Sequence, residues 1–154
     1  MEVIGCNRNS LITIHCTGVV KYPGTDDILT LSWLVTVKDT TLHGVFQASA
    51  DEICVEADAH ALFLAEMQRL DINRCGHITL TGCSPREFCL ELFNIDHVGH
   101  IGVRYQVGCH RKRLGTDNFR VDSTVTLSGA FEVDMDYFTQ MVHDLASLAI
   151  PTIE

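Results

Sequence analysis

The stretch from Phe88 to Ala149 constrains the fold most, because it contains two alternating segments on either side of a short polar turn. On both sides of Asn94–His100 every second residue is apolar, which is the pattern of a half-buried strand. A short loop between two such segments predicts an antiparallel hairpin. Its inward-facing residues are expected to be Phe88, Leu90 and Leu92 before the turn, and Ile101, Val103, Tyr105 and Val107 after it.

The same stretch continues into a loop, one more strand and a closing helix. The polar segment Gly108–Val121 predicts the loop, and the β-branched segment Thr124–Val133 predicts the strand. Asp134 is a candidate N-cap for a helix that runs to about Ala149 and ends before Pro151. The apolar stripe of this helix consists of Met135, Phe138, Met141, Val142, Leu145 and Leu148.

Three strands are predicted before the first helix. Apolar and polar residues alternate from Leu29 to Lys38, with Trp33 on the apolar face as a core residue. The other two strands are Ser10–Val20 and Leu42–Ser49, and the assignment of Ala50–Glu56 stays open between strand and loop.

A helix and a further strand complete the first half. Asp58 is a candidate N-cap for a helix to about Leu70, followed by a strand over His77–Cys83. The apolar residues of the helix fall on one stripe, consisting of Ala59, Leu62, Phe63, Met67 and Leu70.

These elements predict an α+β fold within one globular domain, residues 1–154. Short loops between successive strands favour antiparallel pairing. We therefore expect a curved, mainly antiparallel sheet of about seven strands in the order βββα-ββββα, with two amphipathic helices packed on it. Phe46 and Phe131, each near a strand that precedes a helix, suggest an internal duplication as one hypothesis.

The acidic composition limits the classes of partner. The net charge of −9 argues against nucleic acid, because binding by counterion release needs a basic surface. It fits a basic protein partner, whose complementary field accelerates encounter, and it equally fits solubility alone. No apolar run approaches the roughly 18 residues of a membrane-spanning helix. The start Met1–Gly5 lacks the features of a secretory signal, so we expect a cytoplasmic protein. The expected oligomeric state is a monomer or a homodimer.

The seven cysteines point to reduced structural residues rather than to a metal or redox motif. Their number is odd, their spacing is irregular, and no Cys-x-x-Cys occurs, which excludes the usual zinc-finger and thioredoxin-like patterns. A free cysteine in an apolar segment behaves as a small buried hydrophobe. The sequence accordingly predicts no metal and no cofactor.

The hairpin turn holds the first group of candidate site residues, Asp96, His97 and His100, with His110 across the hairpin. Histidine and carboxylate together can bind a metal or move protons. Their spacing matches no known ligand motif, however. The competing interpretation is a polar turn in which Asp96 accepts hydrogen bonds from nearby backbone N–H groups and Gly99 supplies a positive φ.

A second group is acidic and lies just before and at the start of the first helix: Asp51, Glu52, Glu56 and Asp58. These carboxylates can form a solvated segment, complement the helix dipole or recognise a basic partner. Arg111–Arg113, in the long loop, can contact a phosphate or an acidic partner, or can simply be solvated.

No catalytic motif is present. The chain has no phosphate-binding glycine loop, no Walker-type Gly-Lys-Ser/Thr and no Gly-x-Ser-x-Gly. Cys109 and His110 are adjacent, which points them to opposite faces of a strand. We therefore expect a protein that is not an enzyme.

The hairpin and the closing helix resemble a group of small bacterial proteins of unknown function that is similar to the WapI-type immunity proteins of polymorphic toxin systems. The segments that carry this resemblance are Phe88–Leu92, Asp96–Val103 and Phe131–Asp134 running into Phe138, Leu145 and Leu148, with Trp33, Ala61–Met67 and His77–Leu80 consistent with the same layout. The resemblance implies a non-enzymatic binder that neutralises a basic toxin domain by occlusion. It carries over no functional residues.

Two other hypotheses remain open. A small-molecule-binding or enzymatic domain predicts a deep polar pocket that contains His97, His100 or the acidic residues. An oligomeric adaptor predicts an exposed apolar strand edge and a concentration-dependent dimer.

Overall fold

The chain folds into two antiparallel sheets, each followed by one helix. The computed structural model describes residues 1–41, 43–84, 86–110, 124–133 and 135–147. The strands are β1 Glu2–Ile4, β2 Ser10–Lys21, β3 Ile28–Thr41, β4 Gly44–Glu56, β5 His77–Thr81, β6 Phe88–Asn94, β7 Ile101–His110 and β8 Thr124–Glu132. The helices are α1 Ala57–Asn73 and α2 Met135–Ser147.

The predicted α+β class is confirmed, whereas the predicted arrangement of the sheet is wrong. Two four-stranded sheets replace the single sheet of about seven strands: sheet 1 has the order β1-β2-β3-β4 and sheet 2 the order β5-β6-β7-β8. The element order is ββββα-ββββα, and every neighbouring pair is antiparallel. The predicted hairpin is confirmed, with Phe88 opposite Val107 and Asn94 opposite Ile101.

The eighth strand went unrecognised because it is short. β1 has three residues, too few to show an alternating pattern. The open segment Ala50–Glu56 belongs to β4, where a bulge interrupts the alternation: Ala50 pairs with Val35 and Ile53 with Trp33. Two residues of β4 therefore lie opposite one residue of β3, and the buried positions are spaced irregularly.

The two sheets meet at two edges. An antiparallel bridge joins Gly5, after β1, to Val133, after β8, and the Cys6 N–H donates to the Glu132 carbonyl at 2.9 Å. At the other edge the Cys83 N–H, after β5, donates to the Cys54 carbonyl in β4 at 2.7 Å. Each of these edges thus has backbone hydrogen bonds that cross from one sheet to the other.

A shared apolar core connects both sheets and both helices. Trp33 of β3 is fully buried, as predicted, and meets Phe88 of β6 edge to face with ring centroids 5.9 Å apart. The buried side chains of α2 are Phe138, Met141, Val142 and Leu145, which confirms the described part of its predicted stripe. Its predicted cap Asp134, its last residues and Pro151 lie outside the described residues.

Helix α1 differs from its prediction at the start and on one face. It begins at Ala57, directly after β4, and its N-cap residue is Glu56, which makes no side-chain capping hydrogen bond; the prediction of Asp58 as N-cap was wrong. Leu62 is 64% exposed, and the buried stripe instead contains a histidine: His60, Phe63, Met67 and Leu70. β7 also runs through His110, beyond its predicted end.

Candidate functional site

The acidic residues of β4 lie on the outside of the protein. Asp51 and Glu52 are exposed at the bulge, and Glu52 has a φ of +57°, a left-handed conformation that side chains other than glycine seldom adopt. The bulge turns this pair outward because Ile53 and Val55, which follow it, point into the core. The local fold thus presents both carboxylates to solvent.

Glu56 and Asp58 lie a few residues further along, where β4 passes directly into α1. Both are exposed, and both line a cleft of about 270 Å³ that we call the β4–α1 cleft. Two partly apolar side chains, Tyr22 at 48% exposure and Leu29 at 37%, lie in the same cleft. Its remaining walls are Ile28, Thr30 and Cys83. The cleft therefore combines an aromatic ring, an aliphatic chain and two carboxylates.

The four carboxylates share an electrostatic property. None of them forms an ion pair with another residue of the described chain. Several other carboxylates are paired: Asp26 with Lys21 at 2.9 Å, Asp71 with Arg74 at 3.0 Å, and Glu91 with Arg104 at 2.7 Å. Because no described cation pairs with these residues, this acidic segment (Asp51, Glu52, Glu56 and Asp58) leaves four uncompensated negative charges at the surface.

The first predicted group, at the hairpin between β6 and β7, forms the polar turn that was the competing interpretation of the sequence. One oxygen of Asp96 accepts hydrogen bonds from the N–H groups of Val98, Gly99 and His100 at 3.0 to 3.2 Å. The other oxygen lies 2.7 Å from His100 Nδ1, and Gly99 has a φ of +99°. Both oxygens of Asp96 are thus engaged in holding the turn, and His97 is exposed.

The pKa of Asp96 reflects this arrangement. Desolvation raises it, but the hydrogen bonds from the backbone and ring of His100 and from the backbone of Val98 outweigh desolvation and keep the pKa below its usual value. A carboxyl group that ionises this readily is unsuited to act as an acid at neutral pH.

A larger polar cleft lies between the ends of the sheets. It has a volume of about 670 Å³ and is lined by residues that include Asn7, Ser10, Asp39 and Glu132. Asp39 accepts hydrogen bonds from Ser10 Oγ at 3.0 Å and from the Tyr105 hydroxyl at 3.4 Å. Burial, and secondarily the Asp39 carboxylate, raise the pKa of Tyr105 to about 12. The hydrogen bond between Tyr105 and Asp39 links β7 of sheet 2 to β3 of sheet 1. Neither side chain is thereby activated as a catalytic base.

The outer face of sheet 2 carries a further cleft of about 510 Å³. There Arg104 pairs with Glu91 across β6 and β7, and its guanidinium lies 5.2 Å from the centre of the Phe93 ring. Burial, followed by the Glu91 charge, raises the pKa of the nearby Cys89 thiol and keeps it protonated. The charges of Arg104 and Glu91 on this face thus neutralise each other.

Two other expectations concern residues that can hold ions. Within the described ranges no group of three or more His, Cys, Asp or Glu side chains is arranged to hold a metal ion. Arg111–Arg113 and the side chains of Cys109 and His110 lie outside what the structure describes.

Sequence reasoning missed two pairs of residues. His60 packs edge to face on Trp33 with ring centroids 5.6 Å apart, although the predicted apolar stripe of α1 did not include it. Cys54 and Cys83 bring their sulfur atoms within 2.7 Å from positions 29 residues apart. The position of His60, at helical spacing from Phe63 and Met67, could have indicated from the sequence that it faces the core. The contact of Cys54 with Cys83 could not be found in this way, because it depends on how the two sheets meet.

Comparison with known proteins adds no relative. No family model, curated protein or solved structure matches this chain. Neither helix of the described chain is long and apolar enough to cross a bilayer.

Proposed function

We propose that this protein is a non-enzymatic binding protein that engages a basic protein partner through the β4–α1 cleft and the acidic residues beside it. The observation that carries the proposal is the set of four exposed carboxylates without a described ion-pair partner, two of which line a cleft together with Tyr22 and Leu29. Protein interfaces typically combine an aromatic or aliphatic centre with a polar rim.

The charge of the molecule supports the choice of partner. A net charge of −9 attracts a basic surface over a long range, and an uncompensated acidic rim then selects its orientation. Asp51 and Glu52 extend the negative surface along β4 from the cleft. A basic partner docked at the cleft can therefore contact both halves of the acidic segment.

The sequence resemblance makes a toxin domain the first partner to test. An immunity-type protein acts by occlusion, and occlusion needs a stable surface rather than a reactive group. The side chains that line the clefts agree with such a role: the hydroxyl of Tyr105 stays protonated and both oxygens of Asp39 accept hydrogen bonds. The core between the sheets is filled by apolar side chains, whereas the β4–α1 cleft holds Glu56 and Asp58, two of the acidic residues that the small-molecule hypothesis also places in a pocket.

Co-expression with the product of the neighbouring gene tests the proposal. We expect a one-to-one complex that weakens as salt is raised. Replacing both cleft carboxylates, Glu56→Gln with Asp58→Asn, should weaken binding by about tenfold, or about 1.4 kcal/mol. The matched control is Glu2→Gln with Glu132→Gln, which removes the same charge from exposed residues of β1 and β8.

Two results would contradict this function. One is the absence of any complex, and the other is equal weakening by both pairs of substitutions, which would show that net charge and not the cleft governs binding.

The oligomeric-adaptor hypothesis has one observation in its favour, since Val45 and Phe46 are 59% and 50% exposed on the edge strand β4.

A further inference from the structure

The thiols of Cys54 and Cys83 meet where sheet 1 approaches sheet 2. The two Sγ atoms are 2.7 Å apart, which is closer than two sulfur atoms that share no bond normally approach. The Cys83 N–H also donates to the Cys54 carbonyl at 2.7 Å. Both backbone and side chains therefore place the two residues side by side.

Both chain segments are held firmly. Cys54 lies in β4 and pairs with Ser32 of β3. Cys83 lies in the connection between β5 and β6, where the Gly82 N–H donates to the Phe88 carbonyl and the Glu87 N–H to the Ser84 carbonyl. The contact between the thiols is thus a property of the folded sheets and not of a loose loop.

Solvent reaches the pair from one side. Cys83 is exposed and lines the β4–α1 cleft, while Cys54 is half-buried behind it. A small disulfide reagent can therefore react with Cys83 first. Cys54 is then close enough to attack the mixed disulfide that forms.

We propose that Cys54 and Cys83 form an oxidisable dithiol that a small-molecule disulfide, such as oxidised glutathione, converts into an intramolecular disulfide. Cys83 loses its proton and attacks one sulfur of the reagent, which breaks the reagent's S–S bond and releases one thiol. Cys54 then loses its proton and attacks Cys83 Sγ in the mixed disulfide, which releases the second thiol. The protein is oxidised by two electrons, the reagent is reduced to two thiols, and the two protons pass from the protein thiols to the released thiolates.

The surroundings set the rate of this reaction. Burial, the hydrogen bond with Cys54 and then the charges of Cys54 and Glu56 raise the pKa of Cys83 to about 11. Because the thiolate is the nucleophile, the dithiol reacts slowly at neutral pH, and its rate rises about tenfold for each unit by which the pH is raised toward that pKa.

The bond would change the protein as a whole. It would join β4 of sheet 1 to the segment after β5 of sheet 2 and enclose α1 in a covalent loop. Such a loop restricts the unfolded chain, so the oxidised protein should melt about 5–10 °C higher than the reduced protein. This consequence is independent of the proposed partner.

Peptide mapping of the intact protein after equilibration with oxidised and reduced glutathione tests the proposal. We expect one bridged pair of peptides, containing Cys54 and Cys83, with the loss of two hydrogen atoms and the higher melting temperature. Cys83→Ser should abolish the bridge, whereas Cys75→Ser, a control at an exposed cysteine, should leave it unchanged.

Three outcomes would overturn the proposal. They are stable glutathionylation of Cys83 without a bridge, bridges distributed over other cysteines such as Cys6 and Cys75, and a bridge that leaves the melting temperature unchanged. Since wild-type protein gives the primary result, a variant that fails to fold does not affect the test.

Discussion

Two polar rings in the core, Trp33 and His60, show how single residues depart from a simple apolar pattern. Their side chains are buried, and neither Trp33 Nε1 nor His60 Nε2 has a hydrogen-bond partner in the described part of the chain. Burial lowers the pKa of His60 below its usual value, and a hydrogen bond with the backbone of Leu145 only partly opposes this. The folded protein therefore prefers neutral His60.

The first prediction follows from the sign of that shift. The unfolded chain binds a proton at His60 more readily than the folded protein does, so the contribution to stability is complete above about pH 6.5 and declines as the pH falls below it. Urea unfolding of wild type and His60→Phe between about pH 8 and pH 5 measures this, and the variant should lose less stability on acidification.

The exposed His97 provides the control. His97→Gln should keep the pH dependence of wild type, because His97 is exposed and lies outside the core that surrounds His60. Identical pH profiles for wild type and His60→Phe would show that His60 is not the group responsible.

At the level of elements, sequence predictions succeeded where one face of a strand or helix is buried without interruption. β3 has Leu31, Trp33, Val35 and Val37 buried in strict alternation, and its pattern was readable from the sequence. β4 was only partly readable because the bulge at Asp51 and Glu52 shifts its buried positions. The division into two sheets depends on how distant edges meet, which periodicity along the chain does not encode.

In the candidate site, too, the sequence predicted what lies close along the chain and not what strand pairing brings together. The sequence brought out Asp51, Glu52, Glu56 and Asp58 as a cluster, because they are close along the chain. It did not place Tyr22 and Leu29 beside Glu56, because these residues come from β2–β3 and reach the cleft only through the strand pairing. The contact of Cys54 with Cys83 was hidden for the same reason.

The edge of β4 gives a prediction about assembly. Val45 and Phe46 are exposed on an edge strand, which favours pairing with another strand, but Asp51 and Glu52 lie on the same strand and repel a second acidic copy. We therefore expect a monomer in light scattering over a wide concentration range. A concentration-dependent dimer that Phe46→Lys abolishes, while Leu62→Lys on the exposed face of α1 does not, would instead support the adaptor hypothesis.

At the scale of the whole molecule, the chain is built from two halves with the same order of elements. Each half is a four-stranded antiparallel meander followed by a helix. The proposed duplication agrees with this topology, although Phe46 and Phe131 do not occupy equivalent places. Phe46 is the third residue of β4, whereas Phe131 is the next to last residue of β8.

The halves meet along two edges, and the proposed functional groups lie at one of them. The edge between β4 and the segment after β5 carries Cys54 and Cys83, and the β4–α1 cleft adjoins it. The other edge, between β1 and β8, carries Glu2 and Glu132 and serves as the natural reference surface. A partner bound at the β4–α1 cleft would therefore cover the first edge and leave the second edge exposed.

Carbodiimide cross-linking of the complex with the neighbouring gene's product tests that claim most directly, because it joins carboxylates to partner lysines without a spacer. We predict cross-links at Glu56 and Asp58, with further links at Asp51 and Glu52 and none at Glu2 or Glu132. Cross-links concentrated at Glu2 and Glu132, or spread evenly over the exposed carboxylates, would contradict the account.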